Sequence, residues 1–199
     1  MPHPSDKIAS LIGSRICHDL ISPVGAVANG LELLELSGLP KSPEFSLVAE
    51  SAGHASARIQ YFRLAFGDAE PGQVVSGHAV AEILGAVYEA GRVVIDWQAR
   101  GDFARPDIKA VLLALMCVEQ ALVAGGRIVV ARDGPRWHIR AEADRLSPDP
   151  ALWDLLRGAP GPEAIPPAAV QFLLLPHVLG ERNARIDFQA THFNVEIRF

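Results

Sequence analysis

The chain has little cysteine, no long apolar run and no excess of positive charge, and each shortage excludes something. Its 199 residues include two cysteines, Cys17 and Cys117. They are 100 positions apart, each within an apolar helical pattern, which reads as two reduced core thiols and not as a disulfide framework or a zinc site. The longest apolar run, Ala110 to Val118, stops at Glu119. That is well short of the roughly 20 residues a membrane-spanning helix needs. Residues Met1 to Lys7 lack a basic segment leading into an apolar one, so no secretory leader is expected and the protein is read as cytoplasmic. Lys and Arg total 18 against 23 Asp and Glu, a formal net charge of −5. With no basic block along the chain, nucleic acid is not an expected partner.

What is present is a globular composition, 49% hydrophobic and 21% charged, long enough for one ordinary domain or two small ones. From Ser5, a candidate N-cap, to about Leu36, apolar residues recur at the three-and-four spacing of an amphipathic helix: Ile8, Leu11, Ile12, Ile16, Leu20, Val24, Val27, Leu31 and Leu34. The stretch from Ser37 to Pro43, with Gly38 and two prolines, stops that helix, so a second can return antiparallel from near Ser42. Along the second, Phe45, Val48, Ala52, Ala55, Ile59, Phe62 and Phe66 form a narrow heptad seam. Two helices cannot enclose such a seam, so the pattern predicts a homodimer whose two hairpins build a four-helix bundle.

Gly67 to Gly72 reads as a linker between an N-terminal unit, residues 1–68, and a second unit, residues 73–199. In the second unit the pattern predicts a helix over 77–90, a strand over 93–99 and an apolar helix over 107–123. A hairpin of 127–131 with 137–143 turns at Asp133 and Gly134; Gly158 to Pro162 is a loop; a helix within 166–179 is interrupted by Pro176; and 184–190 pairs with 193–199. The fold class is therefore α+β: a helical hairpin, then an α/β sandwich with helices on one face of a mixed sheet. Gly125 and Gly126 read as a helix C-cap. His3, His54, His78, His138, His177 and His192 have no ligand spacing, so no metal site is expected.

The chemistry concentrates in the first helix. Pro23 lies mid-helix, where it removes one hydrogen bond and crowds the Asp19 carbonyl, so a kink is expected there. On a helical wheel His18 shares its face with Ser14, Arg15, Ser22, Gly25 and Asn29, while Ile12, Ile16, Leu20, Val24, Val27 and Leu31 lie elsewhere. An outward histidine among small and polar neighbours suits nucleophilic work approached by another macromolecule. Asp19, the next residue, projects about 100° away and is expected to reach the ring only through bent geometry or water.

The run His18, Asp19, Leu20, Ile21, Ser22, Pro23 resembles the phospho-acceptor motif of two-component histidine kinases. The longer string from Arg15 to Ala26, continuing from Asn29 to Leu34, resembles more closely the ChpT-type bacterial histidine phosphotransferases. The resemblance implies a dimerising hairpin followed by a domain shaped like a kinase ATP-binding domain. It implies His18 as phosphoryl carrier with Asp19 beside it. By their place on the His18 face, Arg15 is the candidate to neutralise the phosphate, and Ser14, Ser22, Gly25 and Asn29 are docking candidates. Its implied partners are the receiver domain of a hybrid histidine kinase upstream and response regulators downstream.

A kinase-type nucleotide site would need a metal-binding asparagine, an Asp-x-Gly-x-Gly strand end and a glycine-rich lid. Here the apolar helix offers Met116, Glu119 and Gln120; the strand end is Asp144, Arg145, Leu146; and the lid position holds Phe172 to Pro176. The expectation is phosphotransfer without ATP and no cofactor on this chain, the required Mg²⁺ residing on the receiver. A noncatalytic dimeric adaptor and a divergent ATP-dependent kinase remain the alternatives.

Overall fold

The structure, a computed structural model, describes residues 4–38, 42–70, 72–89, 91–160 and 165–199, with side chains from residue 11 onward. Leu39, Pro40, Lys41, Pro71, Gly161 and Pro162 of the expected connections lie outside the described residues. Helix α1 spans Pro4–Leu36, so Ser5 falls inside it and not at its cap. It runs unbroken through Pro23 and ends where Gly38 takes φ +81°, a left-handed conformation that glycine adopts without strain. Helix α2 spans Pro43–Phe66, and its N-cap is Ser42, whose hydroxyl accepts the Phe45 amide at 3.2 Å.

The second unit contributes strand β1 (Val74–Ser76), helix α3 (Gly77–Tyr88), strands β2 (Val93–Trp97) and β3 (Asp102–Ala104), and helix α4 (Arg105–Glu119). There follow the hairpin β4 (Gly126–Asp133) and β5 (Arg136–Glu142), helix α5 (Pro150–Leu155), a 3-10 turn at Pro167–Ala169, helix α6 (Gln171–Gly180), and the hairpin β6 (Asp187–Ala190) and β7 (Val195–Arg198). The main sheet has the order β2-β4-β5-β7-β6; β2 and β4 run parallel and the other pairs antiparallel. A parallel pair needs a crossover, which α4 supplies. The mixed sheet with helices on one face is the α+β sandwich expected. Strands β1 and β3 pair separately, Val75 opposite Phe103; these two strands and α5 have no counterpart in the sequence reading.

Helix α4 is apolar on all sides because it is covered on all sides. Ile108 and every residue from Ala110 to Leu115 are fully buried, between β5 on one face and α2 and α6 on others. The glycine pair has a different job from the one expected. Helix α4 ends at Glu119, and Gly125 and Gly126 sit at the entry to β4, where a Cβ on Gly125 would come within 2.5 Å of the Arg92 carbonyl oxygen. With φ of +94° at Gly125, no other residue fits the approach without strain.

The two units share one core. Tyr61, Leu64 and Ala65 of α2 are buried with the side chains of α3 and α4. Polar contacts tie the same turn down: Arg105 Nη2 donates to the Arg63 carbonyl and Lys109 Nζ to the Gly67 carbonyl, each at 2.8 Å. Cations at a helix C-terminus meet its free carbonyls and the negative end of its dipole. Burial, and Arg63 nearby, pull the Arg105 guanidinium down to about 10.

Among the described residues no helix is long and apolar enough to cross a membrane. Phe172 of α6 is fully buried and stacks edge-on against Trp153 at 5.7 Å. Phe172→Ala leaves a cavity in that layer and is expected to destabilise the protein by about 3–5 kcal/mol in urea titrations.

Candidate functional site

Helix α1 carries two apolar stripes, and its polar face follows from where they lie. Cys17 is buried, and Gly13, Ile21, Val24, Ala28 and Leu31 are half-buried, on the side that packs along α2. A second stripe, Ile12, Ile16, Leu20, Val27 and Leu34, stays about half exposed within one chain. What remains is a polar strip, and His18 stands on it with 85% of its side chain exposed. The outward orientation read from the sequence is the one observed.

Asp19 departs from expectation. Its carboxylate touches the ring directly, Oδ1 lying 3.3 Å from His18 Nδ1, while Oδ2 accepts Arg15 Nε–H at 2.7 Å. The helical wheel places Cβ atoms correctly but ignores the rotamer, and Arg15, four residues back, draws the carboxylate toward its own turn. Arg15 and then His18 hold the Asp19 carboxyl below its usual range, so it is ionised at neutral pH. An ionised carboxylate only accepts hydrogen bonds, so the bond requires the proton on Nδ1 and leaves the Nε2 lone pair for chemistry.

The other expected site residues separate. Ser22 and Asn29 are exposed on the same helix and Gly25 is half-buried; a Cβ at Gly25 would meet nothing within 4 Å, so the surface there is open. Pro23 is exposed and leaves the Asp19 carbonyl without its intrahelical donor. Ser14 is engaged within the fold: its hydroxyl accepts the Asp68 amide at 2.8 Å, fastening the end of α2 to α1 one turn below His18. Sequence reasoning missed that tie, since nothing local signals a contact across 54 residues. Cys17, next to the histidine, faces inward, and burial raises its thiol pKa, so it remains a neutral thiol and no rival nucleophile.

Among the described residues no group of three His, Cys, Asp or Glu side chains is placed to hold a metal ion. On the second unit, the face of α4 turned toward α6 is packed with Phe172 and Leu175, both fully buried. A cavity of about 290 Å³ lies instead at the ends of α3 and α4, lined by Arg58, Tyr88, Arg92, Glu119 and Gly125 among others. That volume is at the small end of ligand pockets, which run about 300–1,000 Å³.

Comparison with known proteins now bears on this geometry. The family profile of the histidine phosphotransferase C-terminal domain matches residues 77–192. The protein phosphotransferase ChpT of Brucella abortus (strain 2308) is 34% identical over 191 residues, covering 92% of this chain and 90% of that protein. A bacterial phosphotransferase of known structure is 28% identical, covers 100% of this chain and 97% of its own, and superposes with a TM-score of 0.68.

The Ser14 bond makes a separable prediction. Ser14→Ala is expected to cost about 0.5–1.5 kcal/mol, the net value of one hydrogen bond, and to speed hydrogen exchange at the Asp68 amide. The His18 ring resonances are expected to stay unchanged.

Proposed function

The chain belongs to the histidine phosphotransferase family, and from that premise we propose that His18 carries the phosphoryl group between receiver-domain aspartates. The observation that carries the reading is the exposed ring with Nδ1 turned to Asp19 and Nε2 turned out. In the forward step Nε2 attacks the phosphorus of a donor aspartyl phosphate in line. The N–P bond forms as the acyl O–P bond breaks, the donor aspartate leaves as a carboxylate, and Asp19 stabilises the cationic ring through Nδ1–H. The second half reverses this onto the aspartate of an acceptor receiver. Little is asked of this chain beyond positioning and charge.

Arg15 uses only Nε on Asp19, and its terminal nitrogens are left to face the transferred phosphate. Ser22, Gly25 and Asn29 form the surface on which a receiver rests: small residues let its active-site loops approach the ring. The partners this reading names are the receiver of a hybrid histidine kinase as donor and response regulators as acceptors. Mg²⁺ belongs to the receiver's own acidic pocket, and this chain needs no cofactor. Support for transfer without ATP comes from the apolar packing of α6 on α4 and from the absent glycines at Asp144 and at the lid position.

The uncovered apolar residues of the hairpin, Ile16, Leu20 and Val27 on α1 with Leu47, Val48 and Phe62 on α2, support a homodimer. An exposed apolar surface on two neighbouring helices wants a partner. A four-helix bundle would bury it and leave the His18 strip facing outward.

The experiment is phosphotransfer from a purified phosphorylated receiver. The protein is expected to acquire an acid-labile phosphoryl group that His18→Ala abolishes, and to remain unlabelled by ATP alone. Labelling from ATP would instead make it a kinase, and no labelling from any cognate receiver would make it an adaptor.

A further inference from the structure

We infer that Arg15 is a positioning residue that acts on His18 through Asp19, selecting the ring tautomer that exposes the Nε2 lone pair. The inference rests on the reading of His18 as phosphoryl acceptor and deepens it.

The geometry is a relay along one exposed helix. Residues i and i+1 point about 100° apart, so a free Asp19 side chain has no reason to settle on the His18 ring. Side chains one turn apart share a face, and Arg15 lies one turn toward the N-terminus of Asp19, in the direction that brings the carboxylate back over His18. The two carboxylate oxygens are divided accordingly: Oδ2 takes Arg15 Nε–H at 2.7 Å and Oδ1 faces His18 Nδ1 at 3.3 Å. Since the hydrogen bond at one ring nitrogen sets which nitrogen carries the proton, whatever anchors Asp19 also sets the tautomer.

Arginine suits this position better than lysine. A planar guanidinium can donate through Nε to Asp19 and keep Nη1 and Nη2 pointed elsewhere, whereas an ammonium is a single mobile charge that cannot serve two places at once. All three side chains are at least half exposed, with Arg15 at 78% and Asp19 at 50%. An exposed pair of this kind contributes little to folding. Its consequence lies in the orientation of a carboxylate, not in the stability of the helix.

The test uses the full chain labelled with ¹⁵N-histidine. Long-range ¹H–¹⁵N spectra of neutral His18 are expected to show the proton on Nδ1 in the parent protein. In Arg15→Ala and Asp19→Ala they are expected to shift toward the Nε2–H form. Arg15→Gln, which keeps a planar donor without charge, is expected to retain part of the parent tautomer. In transfer from a phosphorylated receiver, Arg15→Ala and Asp19→Ala should each lower kcat about fivefold, the scale of an exposed ion pair, with KM less affected. The double variant should show the same tautomer population as Asp19→Ala alone, because Arg15 reaches the ring only through Asp19. An unchanged tautomer in Arg15→Ala, or a further tautomer shift when it is added to Asp19→Ala, overturns the inference and leaves Arg15 only a phosphate contact or a surface residue. Labelling that survives His18→Ala overturns the acceptor assignment itself, whatever the tautomer spectra show.

Discussion

The structure depends on how the last turns of α2 are held. Tyr61, Leu64 and Ala65 are buried in the core of the second unit, and the carbonyls of Arg63 and Gly67 are capped by Arg105 and Lys109. Ser14 then fastens α1 to the same corner through the Asp68 amide. A buried arginine costs free energy unless its donors are used, and Arg105 places one on the Arg63 carbonyl, which also accepts the Gly67 amide. The packing of α1 along α2 turns Cys17 inward and His18 outward, and the Ser14 bond pins one end of it.

That rigid placement explains a division of labour along α1. One stripe belongs to α2, a second is left apolar and uncovered, and the third is polar and short of bulk. His18 stands on the third, beside a carboxylate whose pKa Arg15 lowers. On the proposed reading ordinary imidazole chemistry suffices, because the donor would be an activated acyl phosphate and the metal chemistry would belong to the receiver that brings it. The second unit acts as the scaffold against which the hairpin is set.

Much of this was legible in the sequence, and the remainder failed for identifiable reasons. The three-and-four spacing from Ile8 to Leu34 located α1 to within one residue at its start, and the second helix, placed near Ser42, begins at Pro43 with Ser42 as its cap. The β4–β5 hairpin followed from Asp133 and Gly134. The strands at Val74–Ser76 and Asp102–Ala104 were not readable, since three residues carry no period. Along the heptad seam of α2, Val48, Ala55 and Phe62 stay exposed within one chain, and the residues that α2 buries in the second unit, Tyr61, Leu64 and Ala65, lie off it. A helix with two apolar faces advertises the more regular one. Gly125 and Gly126 looked like a helix stop because their need for positive φ was visible but the Arg92 carbonyl beside them was not. At the candidate site, residue type and spacing pointed to His18, and the outward face expected for it is the one observed. The Asp19 contact escaped because it depends on a rotamer set by a neighbour one turn away.

The central claim is that one ring nitrogen of one histidine, among seven in the chain, is the phosphoryl carrier. It is tested most directly by ³¹P and ¹⁵N correlation spectroscopy of the protein after brief exposure to a phosphorylated receiver and separation from it. The account predicts a single phosphoramidate signal coupled to Nε2 of His18. A phosphoryl group on Nδ1, on another histidine or on a carboxylate would contradict it.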